Sequence, residues 1–234
     1  MSCLEVDNFM MALLVQLLRV SIWKTLVANF LYLKWKDAIK LPIVVCKGAK
    51  FHTTLGWVVF DCPIKFGLLR IGSLSARNVD SKYERTIIYN EGKIIVNGYI
   101  WIGVGCRVNI YKGAELYLGK NLKVTGRTTV ICRKRIIIGD DCLFSWDIQI
   151  MDTDFHKVFD GNDCQINVDK EIVIGSHVWI GARSTVLKGS QIPANSVIAA
   201  GSLFSGKRER ESCIYVGQGK DLSVVKERIK WSDM

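Results

Sequence analysis

A large aliphatic residue returns every six positions near the end of the chain, at Ile174, Ile180, Val186, Ile192 and Ile198. Four residues after each stands Val178, Ser184, Ser190, Ser196 or Ser202, so a small side chain recurs in step with the large one. Ile138, Phe144 and Ile150 keep the same phase. Slips of two residues carry the series back through Ile136, Val130, Val124, Leu118, Leu116, Ile110, Val108, Ile102 and Ile100 to Ile94. A period of six fits neither a lone helix nor a lone alternating strand. It fits a β-solenoid, an all-β prism whose sides are short strands and whose corners recur at fixed places.

Three such hexads make one coil, and stacking coils buries a continuous apolar column. Gly103, Gly119, Gly139, Gly175 and Gly181 each follow a ladder aliphatic, where a side chain would crowd the bend. Cys106 and Cys142 occupy the small inward place and read as core filler, since a free thiol behaves as a small hydrophobe. Lys134 stands at the equivalent place after Val130 and breaks the rule. The slip between Ile136 and Ile138 suggests that the chain changes register locally there.

The chain of 234 residues suits one globular domain with an appendage, and its net charge of +10 predicts attraction to phosphates, anionic headgroups or an acidic polymer. Nucleic acid is not the expected partner, because no helix-turn-helix, zinc-finger spacing or aromatic ladder beside a basic groove is present. The eight cysteines are never closer than ten residues, which excludes a CxxC redox pair or a zinc knuckle and points to a reducing compartment. Residues 1–8 carry Glu5 and Asp7 and no basic leader region, so the expected location is cytoplasmic, with the inner membrane face as a further place.

The divisions expected are a helical extension over 1–50, the prism over 51–206 with a loop protruding at 156–173, and a charged tail over 207–234. Residues 9–40 are helical in pattern and aromatic-rich, and from Arg19 to Lys50 seven basic residues face the single acid Asp37. That segment either packs on the prism or a neighbouring subunit, the favoured reading, or lies on an anionic membrane through residues 9–50. Its apolar run is too short to span a bilayer. The tail is expected to form a short helix closing the open end.

At 156 the ladder should place another aliphatic, and the chain has His156. The in-phase residues His156, Asn162 and Val168 are followed by a clean return at Ile174, so one coil's length is diverted into a loop. Asp152 and Asp154 stand close to the histidine, where a carboxylate holds an imidazole in one tautomer and raises its basicity. A hydrogen-bonding corner and two turn-forming aspartates are the plainer reading of the same residues.

"IGDDCLFSWDIQIMDTDFH", the loop, and "IVIGSHVWIGARSTVLKGSQIPANSVIAAGSLF" together resemble the hexapeptide-repeat acyltransferases, the family of galactoside, maltose and xenobiotic O-acetyltransferases. The likeness covers about residues 94–220, and the N-terminal region resembles more loosely the extension carried by capsule and lipopolysaccharide cluster acetyltransferases. It implies a left-handed parallel β-helix, a homotrimer, and acetyl-coenzyme A held between subunits with no metal. It implies that His156 is the general base for direct transfer to a sugar hydroxyl in surface polysaccharide synthesis. Trp179 and the backbone N–H groups of Ala182 and Ala200 match donor-binding positions, with Lys207 and Lys220 as candidates for the coenzyme phosphates. Thr125 falls where the family often has an acceptor-binding Asn, and Trp146 is a candidate for stacking on a sugar ring. His177 stands where the family frequently has Asn, and reads as a corner residue.

Two other classes remain open. Trimeric carbonic anhydrases use the same prism with three histidine ligands, but the chain has only His52, His156 and His177, with no close histidine pair. A non-catalytic scaffold or membrane-surface adaptor is kept open by the basic, aromatic N-terminal region.

Overall fold

The computed structural model describes residues 19–52, 56–73, 79–80 and 82–232, so residues 9–18 of the expected helical segment lie outside it. Helices α1 (Ile22–Tyr32) and α2 (Trp35–Ala38) come first. The chain then winds through coils of three strands. These are β1 (Ile43–Val45), β2 (Lys50–Phe51) and β3 (Trp57–Phe60); β4 (Leu69–Ile71), β5 (Ile87–Asn90) and β6 (Lys93–Val96); then β7 (Ile100–Val104), β8 (Arg107–Ile110) and β9 (Glu115–Leu118). The fourth coil has β10 (Leu122–Gly126), β11 (Thr129–Cys132) and β12 (Arg135–Ile138), and the fifth β13 (Leu143–Trp146), β14 (Gln149–Met151) and β15 (Ile172–Ile174). Last come β16 (Trp179–Ile180), β17 (Thr185–Leu187) and β18 (Gln191–Ile192), β19 (Val197–Ile198) and β20 (Leu203–Phe204), and the closing strands β21 (Ile214–Val216) and β22 (Ser223–Lys226).

Every third strand pairs in parallel with its counterpart in the next coil, giving three sheets. The first face carries β1 through β19 and then β21 and β22, the second β2 through β20, and the third β3 through β18. The expected prism is therefore present, and the slips of two have a structural reason. Ile100 pairs with Leu122, Val124 with Phe144 and Thr185 with Leu203, so the coil shortens from twenty-two residues to twenty to eighteen. The extra residues sit in longer corners such as Tyr111–Ala114, while inward residues stay opposite inward residues.

The ladder residues fill the interior: Phe144, Ile150, Ile180, Val186 and Ile198 are wholly buried. Three of the small serines beside them donate to nearby backbone carbonyls. Ser184 donates to Ala199 O at 3.1 Å, Ser190 to Phe204 O at 3.1 Å and Ser196 to Ala194 O at 3.1 Å. Cys106 and Cys142 are buried as expected, and burial pushes both thiols up to about 12, so they stay protonated. At the tightest bends a Cβ has no room: one placed on Gly139 would lie 2.7 Å from Gly175 C. Other corners use left-handed residues, in columns formed by Arg127, Asp147 and Arg183 and by Asn121, Asp141, His177 and Asn195.

Three boundaries differ from the sequence expectation. The first coil begins at Ile43 rather than at 51, inside the stretch assigned to the extension. The loop runs from 152 to 171, because β15 already begins at Ile172. Among the described residues the tail forms no α-helix; a 3-10 turn at Gly219–Asp221 leads into β22, which runs antiparallel to β21 and pairs its open edge.

The opposite edge, at β1, is closed by side chains of α1. Asn29 donates to Ile43 O at 2.7 Å and accepts from Ile43 N at 3.0 Å, while Thr25 Oγ1 accepts from Val45 N at 3.0 Å. The helix thus turns its polar residues inward, with Asn29 and Thr25 both buried. Its exposed residues are Ile22, Trp23, Val27, Phe30 and Leu31. Within the described residues the packing reading therefore holds for the inner face of α1. No helix among the described residues is long and apolar enough to cross a membrane.

Truncating one rung of the ladder tests the shared core. Phe144→Ala should lower unfolding stability by about 3–5 kcal/mol, measured by denaturant titration, because the rigid coils above and below cannot collapse into the cavity.

Candidate active site

The loop departs from the corner between the second and third faces, and its first residues build that corner. Asp152 is wholly buried. Its carboxylate accepts from the backbone N–H groups of Arg133 at 2.7 Å, Lys134 at 2.8 Å and Arg135 at 2.8 Å. The expectation that Asp152 orients His156 is corrected here, because its buried oxygens are committed to three backbone amides of the adjacent corner. The same contact explains Lys134. Cys132 takes the inward place, and Lys134 lies on an outer corner that Asp152 holds.

Asp154 is also engaged away from the imidazole. It accepts from Lys188 Nζ and from Asn167 Nδ2, the latter at 3.0 Å. The Lys188 ammonium holds its carboxyl below the usual carboxylate range. Its link to the histidine is through the backbone, since His156 N donates to Asp154 O at 2.7 Å. Asn167 ties the loop together, donating also to His156 O at 2.7 Å and accepting from Val158 N at 2.7 Å. Lys188 Nζ donates to Asn167 O at 2.6 Å. Phe155, at φ 62°, packs edge-on against Tyr111 with ring centroids 5.9 Å apart. His156 is thereby held through its own backbone and stands exposed, and among the described residues no side chain hydrogen-bonds its ring.

The other candidates gather at a different corner, between the first and second faces. Trp179 is part-exposed at 37% and donates from Nε1 to Ser145 Oγ at 3.1 Å. Thr125 lies beside Ser145 in the register of β10 and β13, and its shielded hydroxyl has no hydrogen-bond partner among the described residues. Trp146 ends β13 opposite Gly126. Ala182 and Ala200 follow the ends of β16 and β19, and their backbone N–H groups meet no acceptor among the described residues. Being one coil apart in register, those two donors stand about 4.8 Å from each other along the prism.

The two lysines expected near donor phosphates are both exposed. Lys207 pairs with Glu209 at 3.5 Å, and Lys220 lies in the 3-10 turn. His177 is the corner residue it was expected to be, at φ 56° with Trp231 stacked on it at 4.2 Å. The sequence reading missed Asn167, Lys188, Ser145 and Trp231. Their contacts join residues between 9 and 54 positions apart, and no local pattern marks them.

His156 and the pair Ala182 and Ala200 therefore lie at different corners within one chain. One side of the prism separates them, about six residues of extended chain or roughly 20 Å. The loop that carries His156 exposes Phe155, Val158, Phe159, Ile166 and Val168. Large apolar side chains gathered on a projecting loop mark a contact surface.

No protein-family model matches this chain. An uncharacterized 24.8 kDa protein in the cps region of Klebsiella pneumoniae is 30% identical over 156 residues, 66% of this chain and 68% of that protein. Polysialic acid O-acetyltransferase of Neisseria meningitidis is 38% identical over 65 residues, 27% of this chain and 30% of that protein. The first relatives are thus matched over less than a third of their length, 30% and 26%. Galactoside O-acetyltransferase of Lactococcus lactis is 34% identical over 97 residues, 42% of this chain and 44% of that protein. Among solved structures the polySia-specific acetyltransferase NeuO superposes with a TM-score of 0.53 at 21% identity, covering 82% of this chain and 89% of that one. The chain belongs to the hexapeptide-repeat acyltransferase family. Its prism is the left-handed parallel β-helix of that family.

Two outcomes follow from the corner and the loop. Asp152→Ala should cost about 2–4 kcal/mol in denaturant unfolding by removing three charge-assisted hydrogen bonds to the corner, a loss that Asp154→Ala, at an exposed position, does not reproduce. Asp154 has a folded pKa below its unfolded one, so its ordering of the loop is complete above the ordinary carboxylate range. That ordering is lost as pH falls through the depressed value. Hydrogen exchange of residues 154–168 should accordingly stay slow at mildly acidic pH and accelerate only below it, whereas Lys188→Met should accelerate it at neutral pH.

Proposed function

We propose that the protein is an acetyl-coenzyme-A-dependent O-acetyltransferase acting on a sugar hydroxyl in surface polysaccharide biosynthesis, on the cytoplasmic side of the membrane. The observation that carries the reading is the corner at Ala182 and Ala200. Two amide donors one rung apart, without an acceptor among the described residues and beside the part-exposed indole of Trp179, suit the amide carbonyls and slender chain of a pantetheine arm. Lys207 and Lys220 are the residues to meet the coenzyme's phosphates, as mobile cations on the exposed surface. Thr125 and Trp146, on the same face, are the residues to contact the acceptor.

His156 is the general base of this reading. An alcohol is a poor nucleophile until its proton is removed in the transition state, and an imidazole titrating near neutrality suits that task. The acceptor hydroxyl attacks the thioester carbonyl while its proton passes to the imidazole. The tetrahedral intermediate collapses, the carbon–sulfur bond breaks, and the coenzyme thiolate leaves and takes the proton from the imidazolium. The products are the acetyl ester and free coenzyme A, with no acyl-enzyme and no metal.

Because His156 and the donor corner lie on opposite edges of one face, the reaction needs a second chain. In a homotrimer the loop of one subunit reaches the donor corner of the next, and its exposed apolar row is covered by that contact. The relatives named as polysialic acid and galactoside O-acetyltransferases support a glycan acceptor.

Calorimetric titration of acetyl-coenzyme A tests the donor half without an acceptor in hand. One site per chain at micromolar affinity is expected, and absence of binding by a folded oligomer would return the protein to the scaffold class. His156→Ala should leave that binding unchanged and lower turnover of an acceptor by about 10²- to 10⁴-fold.

A further inference from the structure

Helix α1 is amphipathic in the inverted sense. Its polar residues close the edge of β1, while Ile22 is 76% exposed, Trp23 74% and Phe30 53%, with Val27 and Leu31 beside them. Every residue of the helix classed as exposed is a large hydrophobe. The surface continues through Trp35 and Ile39 in and after α2, and the first coil at the same end of the prism adds exposed Trp57 and Phe66. An exposed apolar face of this kind marks a contact surface.

The charge around it selects the occupant. Arg19, Lys34, Lys36, Lys40, Lys47 and Lys50 are all exposed along the segment. Asp37 is the one acid between Arg19 and Lys50, and it is neutralised by Lys40 at 3.9 Å. A second copy docking by the same face would set these cations against one another. A lipid surface brings the opposite sign and an apolar interior together, with tryptophans at the level of the headgroups. We propose that the outer face of α1 and α2 is a membrane-docking surface that lies on an anionic phospholipid bilayer. The proposal does not depend on the acetyl-transfer chemistry. It sets the prism on the bilayer by its first coil, with the His156 loop and the donor corner on the coils farther along.

Vesicle co-sedimentation of the full chain tests this, with phosphatidylcholine alone and with phosphatidylcholine mixed with phosphatidylglycerol. Binding is expected to the mixed vesicles and to weaken with added salt. The double variant Trp23→Ser, Phe30→Ser should lower that binding by about tenfold or more, since it removes two apolar anchors. The triple variant Lys34→Gln, Lys36→Gln, Lys40→Gln should lower it and flatten its salt dependence while sparing the apolar face. All five side chains are exposed, and donor titration of each variant checks that the prism is intact. The proposal is overturned if the parent ignores anionic vesicles, if binding is indifferent to lipid charge, or if the Trp23, Phe30 variant binds as the parent does. The last result would mean that another part of the chain covers the face. A changed oligomeric state in that variant would assign the face to a subunit contact and overturn it equally.

Discussion

Each coil of this protein rests on the one before it through parallel backbone pairing, and that pairing forces like residues to stack on like. An inward aliphatic lies about 4.8 Å above its counterpart, so the interior is a column and every rung depends on its neighbours for burial. The corners must therefore be tight enough to keep successive coils in register. Where backbone passes over backbone the chain has glycine, as in the stack of Gly119, Gly139 and Gly175. Where it only turns, Asn, Asp, His or Arg adopts the left-handed conformation.

One corner cannot be built that way. Between β11 and β12 the chain has Arg133 and Lys134, whose amides point at the base of the loop, and a buried carboxylate from the next coil binds them. Asp152 thus joins the core to the loop. The segment that presents His156 begins on a residue fixed at three points, continues through a left-handed Phe155, and is held on its far side by Asn167 and Lys188. A long excursion from a solenoid would ordinarily be its least ordered part. Here hydrogen bonds tie its first turn to the coils on either side.

How far the sequence could be read depended on whether an interaction repeats. The ladder from Ile94 to Ile198 repeats, and it gave the prism, the inward cysteines and the existence of the loop, though not its first residue. A histidine at an aliphatic's position stood out against that pattern, as did the glycines at the bends. Contacts made once leave no period. Asp152 and Asp154 look alike in sequence, two residues apart, yet one is a buried clamp and the other an exposed partner of Lys188. The tail was expected as a helix because it is charged, but the open edge of β21 required a strand and took one. The prism's start was placed late because β1 and β2 are short and precede the visible repeat.

The two ends of the prism bear on a different matter, the finite length of the protein. A parallel solenoid has no intrinsic reason to stop, since its last rung is a template for one more, and two such molecules could stack end to end into a filament. Asn29 and Thr25 present to β1 the donors and acceptors that another strand would have offered, and β22 does the same for β21 by running the opposite way. These few hydrogen bonds are terminators. They add little to the core, yet they are what makes a repeating architecture a discrete molecule rather than a monomer unit of a fibre.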